Sequence, residues 1–110
     1  MISAEEKNSK LILKINEPRI DMVIARKFRE TLTSYIQEGT GQIIILDMST
    51  AEYLDSSALG ALVTFMKDVK SAGGKLVLCS VSRNIRTLLK LSRLDSIFTI
   101  VETLDQALAS

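Results

Sequence analysis

The sequence holds no histidine and no tryptophan, and only one cysteine and one proline among 110 residues. Without histidine there is no usual general base, no usual zinc ligand and no Ser–His or Cys–His pair for nucleophilic catalysis. The single cysteine, Cys79, excludes an internal disulfide. It closes the run Lys75-Leu76-Val77-Leu78-Cys79, which reads as a buried strand, so its thiol reads as a small apolar core group. No apolar stretch approaches the ~20 residues of a membrane-spanning helix. The polar start, Met1 to Asn8 with Glu5 and Glu6, does not read as a secretory signal. Neither charge predominates: 14 Lys and Arg against 13 Asp and Glu leave a formal net charge of +1. That balance gives no electrostatic reason to expect nucleic acid or a membrane surface as partner. The expectation is a cytoplasmic protein of one domain, residues 1–110, monomeric when free. An apolar content of 46% is enough to build its core.

What is present alternates. Residues 1–9 read as a flexible lead-in. Lys10 to Ile15 reads as a strand, Asn16-Glu17-Pro18 as a turn, and Arg19-Ile20 as a second strand of an N-terminal hairpin. Asp21 is placed to open a helix whose stripe is Ile24, Phe28, Leu32 and Ile36, ending at Gly39 or Gly41. Ile43-Ile44-Ile45-Leu46 is apolar on both sides, as a central strand requires. After a loop from Ser49 to Asp55, a helix over about Ser57 to Ala72 stops at Gly73-Gly74. A strand over Lys75 to Val81, a helix capped by Ser82 and a strand over Ser96 to Val101 follow. Thr103 and Gln106 have capping-box spacing and open a last short helix. The order β-β-α-β-α-β-α-β-α predicts an α/β fold with a mixed, mostly parallel sheet of four or five strands and about four helices.

The segment Asp47 to Gly60 leads from the central strand into the second helix. Function in open α/β sheets gathers beyond the carboxyl ends of the strands. A helix N-terminus there offers unpaired N–H groups and partial positive charge, able to receive a phosphate on a local serine. Asp55 can accept hydrogen bonds from those N–H groups, and Gly60, read as part of the first turn, permits close backbone approach. An Asp-Ser pair before a helical run is also an ordinary cap, and local physics alone does not specify phosphorylation.

The run Tyr53-Leu54-Asp55-Ser56-Ser57-Ala58-Leu59-Gly60 resembles the signature loop of the STAS family of anti-sigma-factor antagonists. The flanking segments Gln42 to Met48 and Ser71 to Cys79 resemble the family's strand before the loop and its helix stop and strand after it. Arg19-Ile20-Asp21 stands where the family has Leu-Asp or Ile-Asp. Many members have Gly where this chain has Ala58. The resemblance implies a domain whose helices pack on one face of a mixed sheet. It also implies that Ser56 is phosphorylated by an anti-sigma factor that is a serine kinase of the histidine-kinase-like ATPase type. Unphosphorylated, such a protein binds the kinase and frees a sigma factor; phosphorylated, it lets go, and a serine phosphatase resets it. The partner-binding residues so implied are Asp21, Asp55, Ser56, Ser57, Leu59 and Gly60. No cofactor, metal or catalytic residue is implied, since the kinase supplies ATP and Mg²⁺.

Other readings stay open beside these. Asp21 fits a kinase contact or a plain cap, and Ser57 a second acceptor or a helix-start hydroxyl. Arg83, Arg86, Lys90 and Arg93 give the third helix a basic side, for an acidic partner or for solvent. Asp47 alone is weak as a cation ligand. STAS-like domains also act in partner switching on secretion, motility, biofilm or cyclic-nucleotide targets, and in transport assemblies. A small enzyme is disfavoured by the missing histidine and the absence of a phosphate-cradling Gly-rich loop.

Overall fold

The computed structural model describes residues 1–109; Ser110, the end of the expected domain span, lies outside them. Its main sheet has five strands, β1 (Ile2–Lys7), β2 (Lys10–Ile15), β4 (Ile43–Asp47), β6 (Lys75–Cys79) and β7 (Thr99–Val101), in that spatial order. β1 runs antiparallel to β2, and the other pairs are parallel. A second, two-stranded sheet pairs β3 (Arg19–Ile20) in parallel with β5 (Tyr53–Leu54). The helices are α1 (Ala25–Thr33), α2 (Ser56–Ser71), α3 (Arg83–Leu91) and α4 (Leu104–Ala109). None of the described helices is long and apolar enough to cross a membrane.

The strand register explains the core. Leu13, Leu46, Leu78 and Ile100 stand in one row across four strands. They face the larger core, with Phe28 and Leu32 of α1, Leu62 and Phe65 of α2, and Ile85 and Leu89 of α3. Successive residues of a strand point to opposite faces. The adjacent row, Ile12, Ile45 and Val77, therefore packs on the other side, against Ala107 and Leu108 of α4. The helices thus cover both faces, not one as the family resemblance implied. Strands apolar on both sides require it, because an uncovered row would leave Ile45 and Val77 in water.

The N-terminal hairpin lies one strand earlier than expected. Residues 2–7, read as a flexible lead-in, form edge strand β1. Asn8 and Ser9 turn the chain with φ of 55° and 63°, the two-residue, left-handed turn that suits a hairpin. β1 reads as non-strand because nearly all its side chains are exposed and three, Glu5, Glu6 and Lys7, are charged. Such residues discourage pairing at an open sheet edge. β3 does not pair with β2. The Pro18 carbonyl accepts from Glu52 N–H at 2.8 Å and Tyr53 N–H at 3.1 Å, and so carries Arg19 and Ile20 to β5.

α1 is shorter at both ends than its apolar stripe suggests. Residues 22–24 form turns before it, and Thr33 Oγ1 and Ser34 Oγ donate back to the carbonyls of Arg29 and Thr31 at its C-terminus. Ile36 packs on the core from beyond the helix. Ser80, at φ 56°, lies just beyond the end of β6 at Cys79.

Gly73 closes α2 at φ 84°, with Gly74 N–H donating to the Val69 carbonyl at 2.9 Å. A Cβ on Gly74 would stand 2.7 Å from the Gln42 carbonyl oxygen and 3.2 Å from Val69 Cγ1. That carbonyl is held by Lys75 N–H at 2.8 Å and cannot retreat without loss. Gly74→Ala is therefore expected to cost about 1–3 kcal/mol, read as a lower urea midpoint at unchanged slope.

Candidate functional site

The site is built where β4 ends. The chain leaves the sheet after Asp47, crosses a short loop, pairs as β5 and enters α2 at Ser56. Asp55 is the N-cap, with extended backbone. Its Oδ1 accepts from Ala58 N–H at 2.9 Å, and its Oδ2 accepts from Met22 N–H at 2.8 Å. One carboxylate thus caps α2 and ties the turn before α1 to the same point. The Asp55 N–H donates to the Ile20 carbonyl at 3.2 Å, which completes the tie.

Asp21 orders the other side of this joint. Its Oδ1 accepts from Val23 N–H at 3.0 Å, and its carbonyl accepts from Ile24 at 3.1 Å and Ala25 at 2.9 Å. Its Oδ2 lies 3.6 Å from Arg19 Nε, and the Arg19 guanidinium lies 4.2 Å from the centre of the Tyr53 ring. Asp21 is therefore a turn-former one turn ahead of α1. The N-cap of α1 is Ile24, which makes no side-chain cap bond.

Ser56 and Ser57 are the first two residues of α2, and both are exposed. Neither hydroxyl has a hydrogen-bond partner among the described residues. Their N–H groups precede the first intrahelical donor and have no carbonyl four residues back within the helix. Ala58 is fully buried. Gly60 is exposed, and lies one turn past Ser56 on the same helix face, beyond the first turn where the sequence placed it. A Cβ at Gly60 would meet nothing within 4 Å, so neither packing nor a positive φ requires glycine there. Leu59 departs from expectation. Only 9% exposed, it belongs to the large core, and no partner can touch much of it. The buried residues of α2, Ala58, Leu59, Ala61, Leu62, Phe65, Met66 and Val69, form a broad stripe, and Leu59 lies at its edge.

Asp21, Asp55, Ser56, Ser57 and Gly60 are thus brought together, and Leu59 supports them from within. Met22 and Val23, 74% and 83% exposed, stand on the turn that Asp55 holds, a placement the sequence does not reveal. Large apolar side chains presented on a turn tied by hydrogen bonds would have been recognised only with the turn's position known. The basic side of α3 is separate, and there Arg86 pairs with Glu102 at 3.3 Å.

Metal and thiol chemistry find little here. Among the described residues no three His, Cys, Asp or Glu side chains gather as a metal site. Asp47 is nearly buried and accepts from Ser49 N–H at 3.0 Å. Burial first, and the nearby Asp47 charge second, push the Cys79 thiol up to about 11. It stays neutral and unreactive at neutral pH.

A parallel-centred sheet, with an exposed serine opening a helix beyond its central strand, defines an open α/β domain. Residues 1–107 match the STAS domain family, and the chain belongs to that family. A Thermotoga neapolitana relative, provisionally named an anti-sigma factor antagonist, is 32% identical over 74 residues. The matched stretch is 67% of this chain and spans 65% of that relative's length. The structure of an anti-sigma-factor antagonist (STAS) domain protein from Planctomyces limnophilus superposes with a TM-score of 0.89 at 21% identity, over 98% of this chain and 95% of that one. The Bacillus cell fate determinant SpoIIAA in its phosphorylated form superposes with a TM-score of 0.72 at 18% identity, over 99% and 97%. At these identities the two structures bear on the fold alone.

Proposed function

We propose that this chain is an anti-sigma-factor antagonist whose Ser56 is the phosphate acceptor of a partner switch. The observation that carries the reading is the setting of Ser56. Its hydroxyl is exposed and unengaged at the first position of α2, directly after a cap whose two oxygens are both occupied. A kinase can reach it without unfolding anything. Membership in the STAS family and the name of the Thermotoga relative support the role.

In this reading the unphosphorylated chain binds an anti-sigma factor that is also a serine kinase, and a sigma factor is freed. The chain is a binding module and a substrate; ATP, Mg²⁺ and the catalytic base belong to the kinase. Phosphorylation adds close to two negative charges at the centre of the contact surface. The free N–H groups of Ser56 and Ser57 and the positive end of α2 tolerate that charge within the domain. A partner surface shaped for a neutral serine does not. A mismatch of a few kcal/mol weakens binding ~100-fold or more, with no rearrangement of the fold. A serine phosphatase returns the chain to its binding form.

Incubation with the cognate kinase and ATP is expected to place one phosphate on the chain, mapped to Ser56 by fragmentation mass spectrometry. Phosphate found on Ser57 alone, or none on Ser56 in a chain that binds the kinase, would contradict the assignment.

A further inference from the structure

We propose that the cleft between α1 and α2, beside Ser56, receives an acidic segment of the partner protein. This deepens the switch reading and rests on it, by naming the chemistry of what the site binds. The cleft is a shallow, open depression of about 420 Å³, lined by Arg26 and Arg29 from α1 and by Ser57, Gly60 and Thr64 from α2. Ser57 follows the phosphate acceptor directly, so the cleft begins at the switch.

Three observations point to an anionic occupant. First, Arg26 and Arg29 are exposed and have no carboxylate partner. The ion pairs among the described residues are Arg19–Asp21 and Arg86–Glu102. Second, the helix dipole does not favour cations here. Arg26 and Lys27 occupy the first turn of α1, which carries no acidic residue and no side-chain cap. Positive charge at that end opposes the helix dipole. Third, the floor is open. Gly60 is required by neither its φ nor its neighbours, and its missing side chain leaves backbone accessible in the middle of the cleft.

The cleft also has a direction. It continues past Arg29 and Thr64 into a second hollow lined by Glu30 and Asp68. An incoming carboxylate is drawn to the Ser57 end and repelled from the far end, which fixes the register of the bound segment. This supplies a physical cause for release. Ser57, the next residue, lines the cleft, so a phosphate on Ser56 stands at its mouth, and charges separated by less than a Debye length, ~8 Å at physiological salt, are little screened. The phosphate repels the acidic segment and competes with it for the two guanidinium groups.

The test uses the purified full chain and the kinase that phosphorylates Ser56, titrated by calorimetry at several salt concentrations. The double reversal Arg26→Glu with Arg29→Glu is expected to weaken binding ~30-fold or more and to flatten the dependence of log Kd on log salt. Lys27→Glu, on α1 but not in the cleft, serves as the charge control and is expected to change Kd by less than ~3-fold. Circular dichroism melts establish that each variant is folded before titration. Double-reversal binding equal to the Lys27→Glu control, with an unchanged salt slope, overturns the cleft. If phosphorylation of wild type still releases the kinase in that case, only the cleft proposal falls. If phosphorylation leaves wild-type binding unchanged while the reversal abolishes it, the switch reading falls and the cleft stands.

Discussion

Ser56→Glu is expected to bind the partner kinase at least ~100-fold more weakly than wild type, while its unfolding midpoint holds steady or rises. The two effects separate because the same charge meets different surroundings. Within the domain, a carboxylate at the first position of α2 faces unpaired N–H groups and the positive end of the helix dipole. That placement stabilises by about 0.3–1 kcal/mol at exposed positions. Ser56 is exposed, so little packing is lost. Across the proposed interface, the charge is expected to lose its water against a surface that accepts a neutral hydroxyl. Ser56→Ala tests the other side of the argument: it removes the acceptor but adds no charge, so binding persists and phosphorylation ceases. Calorimetric titration of the three proteins, with thermal melts alongside, measures both effects. Wild-type affinity in Ser56→Glu would count heavily against the switch.

The second large effect is expected from Asp55→Ala, which removes both anchors of the site together. Loss of a helix N-cap costs about 1 kcal/mol, and loss of a hydrogen bond to a charged acceptor costs about as much or somewhat more. The sum, about 2–3 kcal/mol, corresponds to a fall in melting temperature of roughly 10 °C or more for a domain of this size. Asp55→Asn divides the two contributions. Its single amide oxygen can keep the bond from Ala58 N–H, but its nitrogen cannot accept from Met22 N–H. The cap survives and the tie to the turn before α1 is lost. Amide exchange is then expected to quicken at Met22 while the first turn of α2 remains protected. Equal protection of Met22 in wild type and Asp55→Asn would show that the 2.8 Å bond does not hold the turn.

The contrast between these residues marks what the sequence makes legible. Ser82, Thr103 and Asp55 announce their helices because caps are local. Each is found bonding the N–H three residues on. Ile43 to Leu46 announces a central strand because both its faces are apolar, and β4 is the middle strand. β1 was hidden because an edge strand with an exposed face carries little hydrophobic pattern. The pairing of β3 with β5 was hidden because it joins residues more than thirty positions apart through the Pro18 carbonyl. The same limit applies to the site. Asp55 and Ser56 lie in one short run and could be read directly. The bond from Met22 to Asp55, the exposure of Met22 and Val23, and the approach of Arg26 to Ser57 depend on how α1 lies on α2. The burial of Leu59 is hidden for a related reason: a short motif does not reveal how much of a helix its neighbours cover.

The most direct test of the account is the affinity of one chain in two states. Wild type, quantitatively phosphorylated at Ser56 and repurified, is titrated against the kinase in parallel with the unmodified chain, with ADP and Mg²⁺ present throughout. Tight binding is expected for the unmodified chain, a Kd at least ~100-fold weaker for the phosphorylated one, and recovery after phosphatase treatment. Equal Kd values for the two states, with phosphate verified on Ser56, would contradict it.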